Sequence, residues 1–89
     1  MPTFTAEIHR FPGPGGWHYV PVPPETADHF APGMTRVAAR IGATHWATSL
    51  LPKGDGTRFL ALKAAVRKSE GLHEGDVVTV ELEPGHRGG

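Results

Sequence analysis

Apolar and polar residues alternate through most of this chain. Over residues 3–11, Phe4, Ala6 and Ile8 fall on one face and Thr5, Glu7 and His9 on the other, the period of a half-buried strand. Residues 17–22 predict a second strand with Trp17 and Tyr19 on one face. Pro21 and Pro23 cannot donate to a ladder, so this strand lies at an edge or ends there. Residues 35–41 predict a third strand with Val37, Ala39 and Ile41 inward, and residues 44–51 a fourth with Trp46, Thr48 and Leu50 on one face. Residues 58–62 form a fifth and residues 77–83 a sixth, the last with Val78, Val80 and Leu82 inward. Two segments break the alternation. Residues 24–30 suit one or two helical turns, with Pro24 and Glu25 where a helix N-terminus tolerates them. Residues 63–70 are rich in Ala, Lys and Arg and predict a short helix, with Gly71 at its C′ position.

The two halves of the pattern superimpose. Phe4 matches Trp46, Ile8 matches Leu50, Trp17 matches Phe59, Val20 matches Leu62, Phe30 matches Leu72 and Gly33 matches Gly75, each pair 42 apart. Both halves run strand, Gly/Pro turn, strand, short helix, Gly, strand. The expected fold is therefore mainly β: a small six-stranded, pseudo-twofold barrel with two short helices near its ends, whose closure removes exposed strand edges. One domain over residues 1–83 is expected, followed by a frayed tail over 84–89 with no apolar residue to bury.

Composition narrows the function classes. With 89 residues, one core must serve the whole chain. The absence of cysteine excludes a disulfide scaffold, a thiolate zinc site and a cysteine nucleophile. Nine Lys plus Arg balance nine Asp plus Glu, which removes the usual electrostatic drive toward nucleic acid or an acidic membrane. No apolar run approaches the roughly 20 residues of a membrane span, and the N-terminus lacks the basic-then-apolar order of a signal peptide. A soluble, cytoplasmic domain of bacterial type is expected.

The run Leu51-Pro52-Lys53-Gly54-Asp55-Gly56, then Phe59-Leu60, then Lys63-Ala64-Ala65-Val66-Arg67-Lys68, then Gly71-Leu72-His73-Glu74-Gly75-Asp76-Val77-Val78-Thr79-Val80-Glu81-Leu82, resembles the DUF1905 family of small bacterial domains. Phe4-Thr5-Ala6, Trp17, Val20-Pro21, Arg36-Val37, Gly42 and Ser49-Leu50 extend the resemblance through the first half. The long Pro12-to-Gly16 turn and the tail depart from it. The resemblance implies a double-split β-barrel, distantly similar to the swapped-hairpin barrel of AbrB-type regulators, and it implies no established function.

Lys63 and Arg67 stand at i and i+4 on one helix face. With Arg58 and with Arg36 or Arg40 they form either a cationic pocket for a carboxylate or phosphate, or a solvated face with Arg67 paired to Asp76 or Glu70. Trp17, Tyr19, Trp46 and Phe59 are either barrel core or the walls of an aromatic mouth. Six histidines raise a metal reading, with His9, His18 and His45 on three strands, yet none has ligand spacing, so no metal or other cofactor is expected. Ser49 and His45 share a strand face but lie about 13 Å apart along it, too far for a nucleophile–base pair. Gly13, Gly15 and Gly16 lack the Lys-Ser/Thr of a phosphate loop.

The leading expectation is thus a non-catalytic binding or interaction module, its partner an unknown protein or a small anionic ligand, acting as monomer or homodimer away from membranes. Its best candidate site is the basic face of Arg36, Arg58, Lys63 and Arg67. The alternative is a small-anion barrel or small enzyme using Arg36, Ser49, Lys63 and Arg67 beside the aromatic mouth. The third, AbrB-like nucleic-acid binding, lacks a basic cluster interleaved with aromatics.

Overall fold

A computed structural model describes residues 2–13 and 15–85 of the chain. The elements follow in the order β1 (Thr3–Glu7), β2 (His9–Arg10), β3 (His18–Val22), α1 (Pro24–Ala27), β4 (Thr35–Ile41), β5 (Thr44–Pro52), β6 (Arg58–Ala61), α2 (Ala64–Glu70) and β7 (Val77–Pro84). They form one antiparallel sheet in the order β1-β7-β4-β5-β6-β3-β2. Because β1 and β2 are consecutive in the chain, the two ends of this sheet meet and the barrel is nearly closed.

Seven strands replace the expected six because the first strand is split at Ile8. The Ile8 N–H donates to the Asp76 carbonyl and the Ile8 carbonyl accepts from the Gly75 N–H, both at 2.8 Å, so the loop before β7 takes the bonds that a strand neighbour would take. The Ile8 side chain is fully buried. The chain thus pairs with β7 before the bend and with β3 after it.

The repeat is visible as a pseudo-twofold axis: β1, β3, α1 and β4 correspond to β5, β6, α2 and β7. The axis crosses the sheet twice, where antiparallel partners are also repeat equivalents. One crossing is Tyr19 opposite Ala61, which are 42 apart. The other is Arg40 opposite Glu81, which are 41 apart. The uniform offset of 42 therefore needs correction in the last strand. Inward Val37, Ala39 and Ile41 of β4 correspond to inward Val78, Val80 and Leu82 of β7, because the link from Gly33 into β4 is one residue longer than that from Gly75 into β7. At the second crossing, Arg40 donates to Glu81 through Nε at 3.1 Å and Nη2 at 2.5 Å, a two-pronged pair on the outer face.

Ile8 and Leu50, like Val20 and Leu62, are equivalent pairs that join one core. Burying each such side chain contributes about 1.5–3 kcal/mol. Residue 17 lies outside the second strand, which begins at His18, and the Trp17 ring is 58% exposed, so it is not core. Tyr19 and Phe59 are buried, but on the outer face: Phe11 stacks on Tyr19 at 4.1 Å and meets Phe59 edge-on at 5.2 Å. Of the four candidate aromatics, Trp46 alone joins the central core.

The helices end by different means. α2 ends at Gly71, whose φ of 65° is a left-handed conformation that glycine adopts without a Cβ penalty. α1 is shorter than the 24–30 expected from the sequence, and the carbonyls at its end are gathered by Arg58. The last strand runs to Pro84, and Gly85 donates to the Arg36 carbonyl at 3.0 Å. The barrel therefore includes two positions assigned from sequence to the tail, while residues 86–89 of that tail lie outside the described residues. Among the described residues no helix is long and apolar enough to cross a membrane.

Candidate functional site

The basic face expected over Arg36, Arg58, Lys63 and Arg67 is divided by the fold among three places. Arg36 and Ser49 are register partners on β4 and β5, and the exposed Arg36 guanidinium donates to Ser49 Oγ at 3.3 Å. Arg58 turns toward the end of α1. Its Nη1 donates to the carbonyls of Ala31 at 2.5 Å and Gly33 at 2.9 Å, and its Nη2 to those of Phe30, at 3.3 Å, and Ala27. These bonds gather carbonyls from the end of α1 and the loop after it, two of which also accept from the Phe30 N–H and the Thr35 hydroxyl, so Arg58 ties this segment down.

Lys63 and Arg67 remain together. The β5–β6 ladder pairs Leu50 with Leu60, Leu51 with Phe59 and Pro52 with Arg58, and then stops. Beyond it the start of β5 is tied to α2 instead: Thr44 Oγ1 donates to Glu70 Oε2 at 2.6 Å and lies 2.9 Å from Ser69 Oγ. A tight turn at Gly42 permits this tie, since a Cβ at its φ of 58° would run into the Glu70 carboxylate. Where β5 and β6 part lies a slot of about 370 Å³, within the size range of small-molecule sites. Trp46, Ala47 and Thr48 line it from β5; Ala61 lines it from the end of β6, with Leu62 and Lys63 just after; Ala64 and Arg67 come from α2, His18 from the start of β3 and Trp17 from just before it.

Neither Asp76 nor Glu70 pairs with Arg67. Asp76 accepts from the His73 N–H at 2.9 Å, Glu70 accepts from Thr44, and Arg67 Nε donates to the Leu62 carbonyl at 3.1 Å. The terminal nitrogens of Arg67 and the Lys63 ammonium have no protein partner among the described residues. Two further residues of the lining carry an unpartnered ring nitrogen. Trp46 is only 7% exposed, and its indole Nε1 is buried without a hydrogen bond; so is Nδ1 of His18. A buried polar group left in this state costs about 1–3 kcal/mol. Burial, with help from the Arg67 and Arg10 guanidinium groups, holds the His18 imidazole below its usual pKa, a shift that Glu74 opposes and His73 reinforces. The charged form of His18 is thereby disfavoured, and Lys63 and Arg67 carry the positive charge of the slot.

The four candidate aromatics divide as the cations do. Trp17 and Trp46 line the slot, whereas Tyr19 and Phe59 pack edge-on at 5.5 Å in the outer cluster under Phe11, with Lys53 Nζ 5.1 Å from the Tyr19 ring. Among the described residues no group of three or more His, Asp or Glu could hold a metal; His86 lies outside them. Ser49 receives its hydrogen bond from Arg36 rather than from His45.

Sequence reasoning singled out Lys63, Arg67, Trp17 and Trp46, but not the small residues that make the room. Their signal was in the repeat: Ala61 stands where the first half has Tyr19, and Ala64 where it has Val22. A family model described as a domain of unknown function, DUF1905, matches residues 4–82. No curated protein matches the chain.

Proposed function

The chain belongs to the DUF1905 family, whose description carries no activity, and from the slot we propose that it is a non-catalytic binding module holding a small anion at Lys63 and Arg67. The observation that carries this reading is that two residues lining the slot, Trp46 and His18, each keep a buried ring nitrogen without a partner, beside two cations without carboxylate partners. An indole N–H only donates, so it suits an acceptor oxygen. Arg67 offers a fork to a carboxylate or phosphate, and Lys63 a mobile point charge. Glu74 is the opposing carboxylate whose field reaches His18, and Arg10 and Arg67 outnumber it.

A broad protein-docking face has less support. Besides Trp17, the large exposed apolar residues among the described residues are Met34 and Val77. Met34 precedes β4, whose start lies beside the end of β7, and Val77 begins β7 about 24 Å away along the strand. They do not make one patch.

Thermal melting with inorganic phosphate, acetate and benzoate tests the proposal. At a hundredfold excess over its dissociation constant, a bound anion adds about 2.7 kcal/mol of stability. At least one of the three is expected to raise the melting temperature, and the shift is expected to vanish in the Lys63→Ala, Arg67→Ala double variant and to persist in Arg36→Ala. No shift with any of them, or a shift lost only in Arg36→Ala, contradicts it.

A further inference from the structure

We infer that the anion taken by this slot carries a flat aromatic ring, making the ligand class an aryl carboxylate; this rests on the anion-binding reading above. The inference comes from the molecule's own second copy of the site. Under the pseudo-twofold, Trp17 corresponds to Phe59 and Ala61 corresponds to Tyr19, since each pair is 42 apart and Tyr19 and Ala61 face each other on the axis. In the first-half copy the Phe59 ring packs edge-on against the Tyr19 ring, centroids 5.5 Å apart at 70°. That is a favourable arrangement for two aromatic quadrupoles. At the slot, Ala61 supplies only a methyl group where Tyr19 supplies a ring, and Trp17 is left 58% exposed.

An aryl group beside Ala61 makes for Trp17 the contact that Tyr19 makes for Phe59. Space for it follows from the same substitution pattern: Ala47, Ala61 and Ala64 stand where the first half has Thr5, Tyr19 and Val22. The charged end is placed by Lys63, between Ala61 and Ala64 in sequence, and by Arg67, three residues after Ala64. Trp46 and His18, each with a buried ring nitrogen that no protein group satisfies, line the same cavity. An aromatic ring and an anionic group on one small molecule match the two halves of this lining, and a bare phosphate matches only one.

The test compares benzoate, cyclohexanecarboxylate and inorganic phosphate on the full chain by titration calorimetry and by the indole N–H signals in nitrogen–proton correlation spectra. Both tryptophans of the chain line the slot, so both indole signals report on it. Benzoate is expected to bind about two- to twelvefold more tightly than cyclohexanecarboxylate, the worth of one aromatic pair beyond simple burial. Trp17→Ala is expected to bring that ratio to one. Ala61→Tyr, which places in the slot the ring that the first half already accommodates, is expected to weaken benzoate at least tenfold with the circular dichroism spectrum unchanged. If Ala61→Tyr does not fold, the Trp17→Ala ratio decides alone. Equal affinity for benzoate and its saturated analogue in the unmodified protein overturns the aromatic inference and leaves anion binding standing. Failure of all three probes to bind overturns the anion-binding reading, and the inference falls with it.

Discussion

At one end of the pseudo-twofold, Lys63 and Ala64 share a slot of about 370 Å³ with Ala47 and Thr48; at the equivalent place, Pro21 and Val22 share a groove of about 410 Å³ with Thr5 and Ala6. The two spaces are alike in size and built on the same strands, but their chemistry differs. Glu25 occupies the sequence position of Arg67, and Leu60 that of His18. The charges that line the first-half groove include Lys53 and Asp55. The Asp55 carboxylate accepts from both the hydroxyl and the N–H of Thr57, which holds it below the usual carboxylate range. Among the described residues, no buried polar side chain lining that groove lacks a partner, whereas two at the slot do. Space alone therefore does not mark a site in this fold. The slot is marked by polar atoms that the chain itself leaves without partners.

If the halves share one core, equivalent deletions should cost alike. Leu50→Ala and Ile8→Ala, at matched and fully buried positions, are each expected to lose about 2–5 kcal/mol in urea unfolding. A loss under about 1 kcal/mol for Ile8→Ala alone would show that the bend at Ile8 does not close the barrel. A smaller asymmetry separates the helix ends. Arg58→Ala removes a charged donor from four carbonyls and is expected to cost about 1.5–3 kcal/mol, with no rescue by lysine, which lacks the planar fork. Gly71→Ala forces a side chain into a left-handed conformation and is expected to cost about 1–2 kcal/mol.

Much of this comparison was legible in the sequence, because alternation reports which face of a strand is buried. The inward sets Val37, Ala39, Ile41 and Val78, Val80, Leu82 needed nothing else. The helix 63–70 and its glycine stop were likewise local, differing from α2 by one residue at the start. What was hidden depended on partners distant in sequence. The split at Ile8 arises from two hydrogen bonds to the Gly75–Asp76 loop. The role of Arg58 depends on where α1 ends, and a charged side chain beside a short helix reads equally as a pocket cation. Tyr19 alternates correctly, yet its burial on the outer face is the work of Phe11. At the slot the cations were visible as helix spacing, but the ending of the β5–β6 ladder that brings Trp46 and His18 to them was not.

Two pH effects sharpen the contrast further. His18 at the slot has a depressed pKa, so the unfolded chain binds its proton more readily than the folded one. Its contribution to stability is intact above the unfolded value of about 6.5 and falls as pH drops through the folded value. The melting temperature is thus expected to decline as pH falls below about 6.5, and His18→Gln to flatten that slope. At the other crossing of the axis, the Arg40 hydrogen bonds hold the Glu81 carboxyl below its usual range. That contribution is present above about pH 4.3 and is lost as pH falls through the folded value. Glu81→Gln should lower the melting temperature slightly at neutral pH, by an amount that shrinks as pH falls below about 4.3, the smallest effect of the series because both side chains are partly exposed.

The difference between the two grooves is read most plainly by mapping backbone and indole N–H shifts as benzoate is added. Movement of the Trp17 and Trp46 indoles and of the backbone from Ala61 to Arg67, with Thr5, Ala6, Glu7 and Val22 unmoved, is the result expected if the slot alone binds. Equal movement in both grooves, or movement confined to the first-half groove, would contradict the assignment of binding to Lys63, Arg67 and the two unpartnered ring nitrogens.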